Sequence, residues 1–127
     1  MATFGKYESI PGLTATSTLA ASQYKVVQLS STAGQVKLAT SGTSKIIGIV
    51  QNDPAAGEAA DVAFLGVVKG AAETSVAVGD KVTSSSTGRL KTTTTDGDVI
   101  LGTALEASDT AGDIIRIVAV PGLFYAA

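Results

Sequence analysis

Val27-Gln-Leu-Ser-Ser-Thr-Ala-Gly-Gln-Val-Lys37 and Val82-Thr-Ser-Ser-Ser-Thr-Gly-Arg-Leu-Lys91 follow one pattern. With one residue gapped, Ser30, Ser31, Thr32, Gly34, Val36 and Lys37 meet Ser85, Ser86, Thr87, Gly88, Leu90 and Lys91. The stretch that follows repeats as well: Ile46-Ile-Gly-Ile-Val50 aligns with Ile100-Leu-Gly-Thr-Ala104, and Gly57-Glu-Ala-Ala-Asp-Val-Ala63 aligns with Gly112-Asp-Ile-Ile-Arg-Ile-Val118. The offset stays at 54 or 55 across separate segments, which marks an internal duplication rather than chance similarity in a chain rich in small residues.

Working outward, each half reads as short β-branched runs divided by turn residues. The runs are Lys25 to Leu29, Gln35 to Ala39, Lys45 to Val50 and Ala60 to Val68, then Asp80 to Thr83, Arg89 to Thr92, Asp98 to Leu105 and Asp113 to Val120. Helix signals are nearly absent. The best window, Thr103 to Ala111, meets Ser108, Asp109 and Gly112 before a third turn, and it reads as a strand end and loop. The expected fold is therefore all-β, a compact β-clip or barrel-like domain at residues 24–122. Its two halves, about 25–68 and 80–120, are expected to share one core, since a half of about 50 residues buries too little surface to be secure alone. Gly34 and Gly88 fall in the repeated turns. Gly48 and Gly102 fall inside strands, where glycine needs a bulge or a close backbone approach to justify it. The expectation is that these two mark where the halves cross.

The 127 residues suit a single domain. Charged residues are only 16% and aromatics 5%, while Ala 20, Thr 16, Gly 14 and Ser 12 fill about half the chain. Mean hydropathy of +0.34 argues against a solvated, disordered chain. No apolar run reaches the roughly 18 residues of a transmembrane helix, so no membrane partner is expected. The absence of His and Cys excludes a Ser-His-Asp triad, a thiol nucleophile, a zinc finger and His- or Cys-held haem. Net charge −2 offers no basic field for phosphates, so no nucleic-acid partner is expected. The first residues carry Glu8, Pro11 and Gly12 where a signal peptide needs its apolar stretch, so export by that route is not expected.

The remaining chemistry-bearing groups have simpler readings. Asp96, Asp98, Asp109 and Asp113 could offer oxygens to calcium, but Asp96-Gly97-Asp98 is also an ordinary turn and no EF-hand loop is present. Val78-Gly-Asp-Lys-Val82 is similar to the turn of biotin- and lipoate-carrying barrels. The hairpin-tip candidates Ser84 to Gly88 contain no lysine, Lys91 lies beside Thr92 to Thr95, and Gly79-Asp80 reads as a plain strand start. Ser30-Ser-Thr and Ser84-Ser-Ser-Thr read as turn chemistry, because no S-x-x-K or G-x-S-x-G motif accompanies them. The expectation is no enzyme, no cofactor and no metal.

The scarce aromatics gather at the ends. Residues 1–23 read as an extended arm carrying Phe4, Tyr7, Ile10, Pro11 and Leu13, and residues 123–127 as a tail with Leu123, Phe124 and Tyr125. An arm of this kind can add a strand to a partner's sheet edge. Its removal up to residue 13 is expected to leave the fold intact and abolish partner binding.

The run from Ala20 to Pro121 resembles the head decoration (capsid cement) proteins of tailed bacteriophages, related in plan to the lambda-like β-clip decoration protein. The likeness rests on Ser44-Lys-Ile-Ile-Gly-Ile-Val50, Pro54-Ala-Ala-Gly-Glu58, Val76-Ala-Val-Gly-Asp-Lys-Val82, Thr87-Gly-Arg-Leu90, Ile100-Leu-Gly-Thr-Ala-Leu-Glu106 and Ile114-Ile-Arg-Ile-Val118. It implies a structural virion protein, made in the host cytoplasm, that trimerises on the capsid exterior at three-fold sites. There it would bind the major capsid protein and tie capsomers together. The contact residues Phe4, Tyr7, Ile10, Pro11 and Leu13 come from the arm reading rather than from a family motif. A carbohydrate-binding or ligand-binding β module of a tail or fibre is the other class considered. Trp is absent, and only Tyr24 and Phe64 are aromatic within the repeat, a poor supply of sugar platforms.

Overall fold

Each of the eight β-rich runs forms a strand in the computed structural model, which describes residues 7–19, 21–43 and 45–124. The strands are β1 (Tyr7–Ile10), β2 (Thr14–Ala15), β3 (Val26–Leu29), β4 (Gln35–Leu38), β5 (Ile46–Val50), β6 (Val62–Ala71), β7 (Lys81–Ser84), β8 (Leu90–Thr92), β9 (Val99–Ala104) and β10 (Ile114–Phe124). A 3-10 turn, Ser17–Leu19, precedes β3. The fold is all-β. Thr103 to Ala111 is a strand end and loop, as its turn residues require.

The duplication becomes a mirrored sheet. The strand order is β2-β4-β3-β5-β6-β10-β9-β7-β8, with β1 on β6, so β4-β3-β5-β6 is answered by β10-β9-β7-β8. The register repeats with the sequence. Val27 pairs with Gly48 as Val82 pairs with Gly102, and Gln28 pairs with Lys37 as Thr83 pairs with Lys91. Ile49 pairs with Ala63 as Thr103 pairs with Val118. The halves meet where β6 and β10 run antiparallel, from Ala71 opposite Ile114 to Gly66 opposite Ala119. The Ser-Thr turns are twins too. The Ser30 hydroxyl accepts the Thr32 N–H at 3.0 Å, and the Ser85 hydroxyl accepts the Thr87 N–H at 3.2 Å, the local bonding that suits these residues to turns.

Strand β6 carries the main bend. Ten residues of straight strand would span roughly 30 Å. Here Val62 pairs with Val50, whose carbonyl accepts the Tyr24 N–H, while the Tyr24 carbonyl accepts the Ala71 N–H from the other end of β6. The break is at Gly66, whose φ of +106° lies in the region that side chains resist. Gln51 secures the return, its amide bonding both to the Lys69 carbonyl (2.9 Å) and to the Lys69 N–H (3.4 Å).

One buried cluster is shared by the halves. It joins Val26, Ile49 and Val68 to Val82, Leu90 and Ile117, all fully buried, as the size of each half demanded. A second cluster is built by the N-terminal segment on the first half: Leu13, Ala15 and Leu19 pack with Val27, Val36, Val50 and Val62. Residues 7–19 are therefore part of the domain, and the expectation that residues 1–13 could be removed without harm is corrected. Apolar spacing in this segment serves its own core.

The close approach at the strand glycines lies elsewhere than expected. A Cβ on Gly48 would strike the Ala63 carbonyl of β6, and one on Gly102 would strike the Val118 carbonyl of β10. Each glycine admits the end strand of its own half and does not mark a crossing between halves. Gly34 and Gly88, by contrast, take φ of +80° and +76° in the twin turns.

Candidate docking surfaces

Of the five N-terminal residues singled out, Phe4 lies outside the described residues. Tyr7 and Ile10 are half-buried on β1, Pro11 is exposed in the following turn and Leu13 is buried. β1 runs antiparallel to the first half of β6, with Tyr7 opposite Gly66 and Ile10 opposite Val62. The Tyr7 hydroxyl donates to Asp61 Oδ2 at 2.7 Å. Burial first, and then this bond and the charge of Asp61, push the Tyr7 phenol up to about 12 from its usual 10. Because the folded value is raised, the contribution to stability is complete below pH 10 and is lost as pH rises from 10 towards 12. Tyr7→Phe is expected to cost about 1 kcal/mol at pH 7 and to flatten this alkaline loss. Urea midpoints between pH 8 and 12 check it; parallel curves for the parent and Tyr7→Phe would refute the bond.

Next to β1 lies an apolar cleft of about 290 Å³, lined chiefly by Ile10, Ile46, Ile47, Phe64, Ile100 and Leu101. Its walls include repeat partners, Ile46 with Ile100 and Ile47 with Leu101. The pairing Phe64 with Ala119, both on the wall, breaks the symmetry and leaves room on one side. Sequence reading missed this cleft, because it arises from two segments 54 residues apart meeting at the seam.

The outward face of the β6–β10 pair is also apolar. Val67 and Val118 stand opposite each other, and Leu65 and Val120 flank the Gly66–Ala119 pair with 41% and 40% of their surfaces exposed. Leu105 and, beyond the Lys69–Arg116 pair, Ile114 are exposed as well. The charges here are Lys69, opposite Arg116, and Glu106. Glu106 meets the Arg116 guanidinium at 3.4 Å and accepts the Arg116 N–H at 2.8 Å.

The remaining polar candidates are occupied by turn bonding. Asp98 accepts the Thr93 hydroxyl at 2.6 Å, Asp109 that of Thr110 at 3.2 Å and Asp113 that of Ser108 at 3.3 Å, while Asp96 sits in the turn before β9. Among the described residues, no three carboxylates gather as a metal site would need. Asp80 closes the turn before β7. The Ala77 N–H first, then the Thr92 hydroxyl, hold its carboxyl below the usual range. Glu73 is held low in the same manner by the Thr87 and Ser85 hydroxyls.

Comparison with known proteins bears on the fold and on the family. The fold matches the structure described as the head fiber gp8.5 N base of bacteriophage phi29, with a TM-score of 0.67 at 18% identity, covering 94% of this chain and 98% of that one. At that identity the likeness speaks for the fold. A comparison with curated proteins returned no match. Residues 11–120 match the family described as phage cement protein, so most of the chain, including both repeat halves, is accounted for. The chain belongs to the phage cement protein family, and it is a structural component of the phage head.

Proposed function

We propose that the protein docks on the outer surface of a phage capsid as a trimer at three-fold sites, binds the major capsid protein and ties neighbouring capsomers together. The observation that carries this reading is the exposed apolar face around Leu65, Val120 and Ile114 in a chain of low charge, taken together with family membership. Contiguous exposed apolar surface marks an interaction site. A surface covered by partner subunits incurs desolvation cost for each unpaired charge it buries, so sparse charge suits it. Of the N-terminal contact set, Pro11 is the exposed member offered to the shell, while Tyr7 and Ile10 are shared with the domain.

The test is co-sedimentation with expanded shells that lack decoration. The parent protein is expected to pellet with shells, and Leu65→Asp with Val120→Asp to remain in the supernatant while keeping the parent's circular dichroism. Equal pelleting of parent and double variant would overturn the assignment of this face. No pelleting of either would overturn the capsid reading.

A further inference from the structure

The small net charge of −2 conceals two stretches of opposite sign. Residues 9–52 carry Lys25, Lys37 and Lys45 and no carboxylate side chain, while residues 92–115 carry Asp96, Asp98, Glu106, Asp109 and Asp113 and no lysine or arginine. The fold presents part of each charge at a definite place. Gln28, Leu29, Lys37, Thr43 and Lys45 line a surface pocket of about 390 Å³ where β3 lies between β4 and the start of β5. Among the described residues, neither lysine meets a carboxylate. On the second half, Asp96 and Gly97 form the tip of an exposed turn before β9, closed by the Asp98 N–H on the Thr95 carbonyl. A Cβ on Gly97 would meet nothing within 4 Å, and the Asp96 carboxylate has no bonding partner among the described residues.

The molecule already makes a contact of this kind once, within itself. The turn Thr40 to Thr43, the counterpart of Thr94 to Gly97 at the offset of 54, leans on the second half. The Gly42 carbonyl accepts the Val99 N–H at 2.9 Å, and a Cβ on Gly42 would strike the Asp98 carboxylate and the Thr83 hydroxyl. On the first half the counterparts of Thr83 and Val99 are Gln28 and Lys45, two walls of the pocket. The second half therefore exposes a turn without a seat, and the first half a seat without a turn. The residue at the place of Gly42 is Asp96, and the vacant seat carries two lysines. One difference sets the depth of the contact. The β7–β9 ladder stops at Val82–Gly102, which leaves Gly42 its place, whereas β3 and β5 stay together to Gln28–Ile46, with the Leu29 N–H on the Lys45 carbonyl. A visiting turn would rest on the side chains of the pocket, where an acid has the room that Gly42 lacks.

We propose that the Asp96–Gly97 turn of one copy docks in the Lys37–Lys45 pocket of a second copy. The occupant is a second molecule of this chain. The two surfaces differ, so the contact is head-to-tail and repeats from copy to copy until a ring closes. Exposed ion pairs add little to affinity but fix which surfaces meet, because wrong pairings set like charges together. Strength comes from holding copies side by side, as on a shell, where effective concentration is high. This self-contact rests on the capsid reading above.

The chain has no cysteine, which makes disulfide mapping clean. Chains carrying Thr43→Cys on the pocket wall are mixed with chains carrying Thr95→Cys beside the turn tip, in concentrated solution and on shells, and oxidised; both positions are exposed. The mixed 43–95 disulfide is expected on shells at several times the yield of a control pair, Thr43→Cys with the exposed Val78→Cys. Adding Asp96→Lys to the Thr95→Cys chain is expected to bring the yield down to the control, and adding Lys37→Glu with Lys45→Glu to the Thr43→Cys chain to restore at least half of it. A yield no higher than the control in both settings, one that Asp96→Lys leaves unchanged, or a loss that the reversed lysines fail to restore overturns the contact. Shell pelleting, scored in the same samples, separates the two ideas: chains that pellet without the disulfide defeat the self-contact alone, and a disulfide in solution without pelleting defeats the capsid reading alone. If Lys37→Glu with Lys45→Glu stops the pelleting of chains that form no 43–95 disulfide, the pocket belongs to the shell and the self-contact falls.

Discussion

Replacing Gly102 by valine is expected to lower thermal stability by about 4 kcal/mol, at the upper end of what single substitutions do. The clash lies at the first carbon of any side chain. A Cβ here would sit on the Val118 carbonyl and against the backbone of Ala119, and backbone in a paired strand has little freedom to yield. Alanine should therefore be nearly as damaging as valine. The effect should recur at Gly48 against Ala63, because the repeat places the same two strands in the same register there. Gly97 provides the contrast: it has open space around it and a φ of +91°, so Gly97→Ala is charged only for backbone strain, about 1 kcal/mol. Melting followed by circular dichroism should show Gly102→Val falling by about 10 °C or more, with Gly97→Ala losing only a few degrees. A melt of Gly102→Val within 2 degrees of the parent, about what measurement scatter allows, would mean that β9 and β10 do not lie this close.

Removing residues 1–13 is expected to cost about 4 kcal/mol and to leave a loosely packed second cluster. The loss has three parts. The β1 ladder on β6 goes, with its register from Tyr7 to Ile10; the Tyr7–Asp61 bond goes; and the buried Leu13 leaves Val36, Val62 and Ala60 facing water. A buried leucine accounts for about 2 kcal/mol and the polar bonds for about 1 kcal/mol each. The partner test of such a truncation is thus confounded, since weakened shell binding would follow from a damaged domain. Leu13→Ala isolates the packing part and should cost about 2–3 kcal/mol by itself. If the truncated chain melts with the parent, residues 7–13 do not pack on the domain as described.

The difference between what the sequence displayed and what it concealed follows from the range of the interactions. Eight strands were legible because Val, Ile and Leu alternate between glycine turns, a signal carried within each run. The mirrored order of the sheet was legible only through the duplication. β1 and β2 were concealed. Tyr7-Glu8-Ser9-Ile10 has too few apolar residues to declare itself, and Thr14–Ala15 owes its pairing to β4, reached from some 20 residues away. Val120 looked like the end of the last strand because Pro121 and Gly122 follow it. The strand runs on to Phe124 because proline is tolerated at a bulge, where the ladder is already interrupted. The strand glycines announced a close approach but not what approached. The candidate surfaces were least legible of all, since Leu65 and Val120 look like core residues until β6 and β10 are paired and their outer face is seen to be uncovered.

The mirrored sheet also has a consequence for time. Ladders inside each half join strands close in sequence, such as Val27 with Leu38 or Thr83 with Lys91. The seam instead joins Val68 to Ile117, across the whole second half. Loop closure over that distance is slow to repay its entropy, and folds dominated by distant pairings reach the native state in milliseconds to seconds rather than microseconds. The rate-limiting event is thus expected to be the meeting of β6 with β10. A newly synthesised chain would wait with the first half lacking its share of the common core, β6 unpaired along its second part, until the ribosome has delivered the other half.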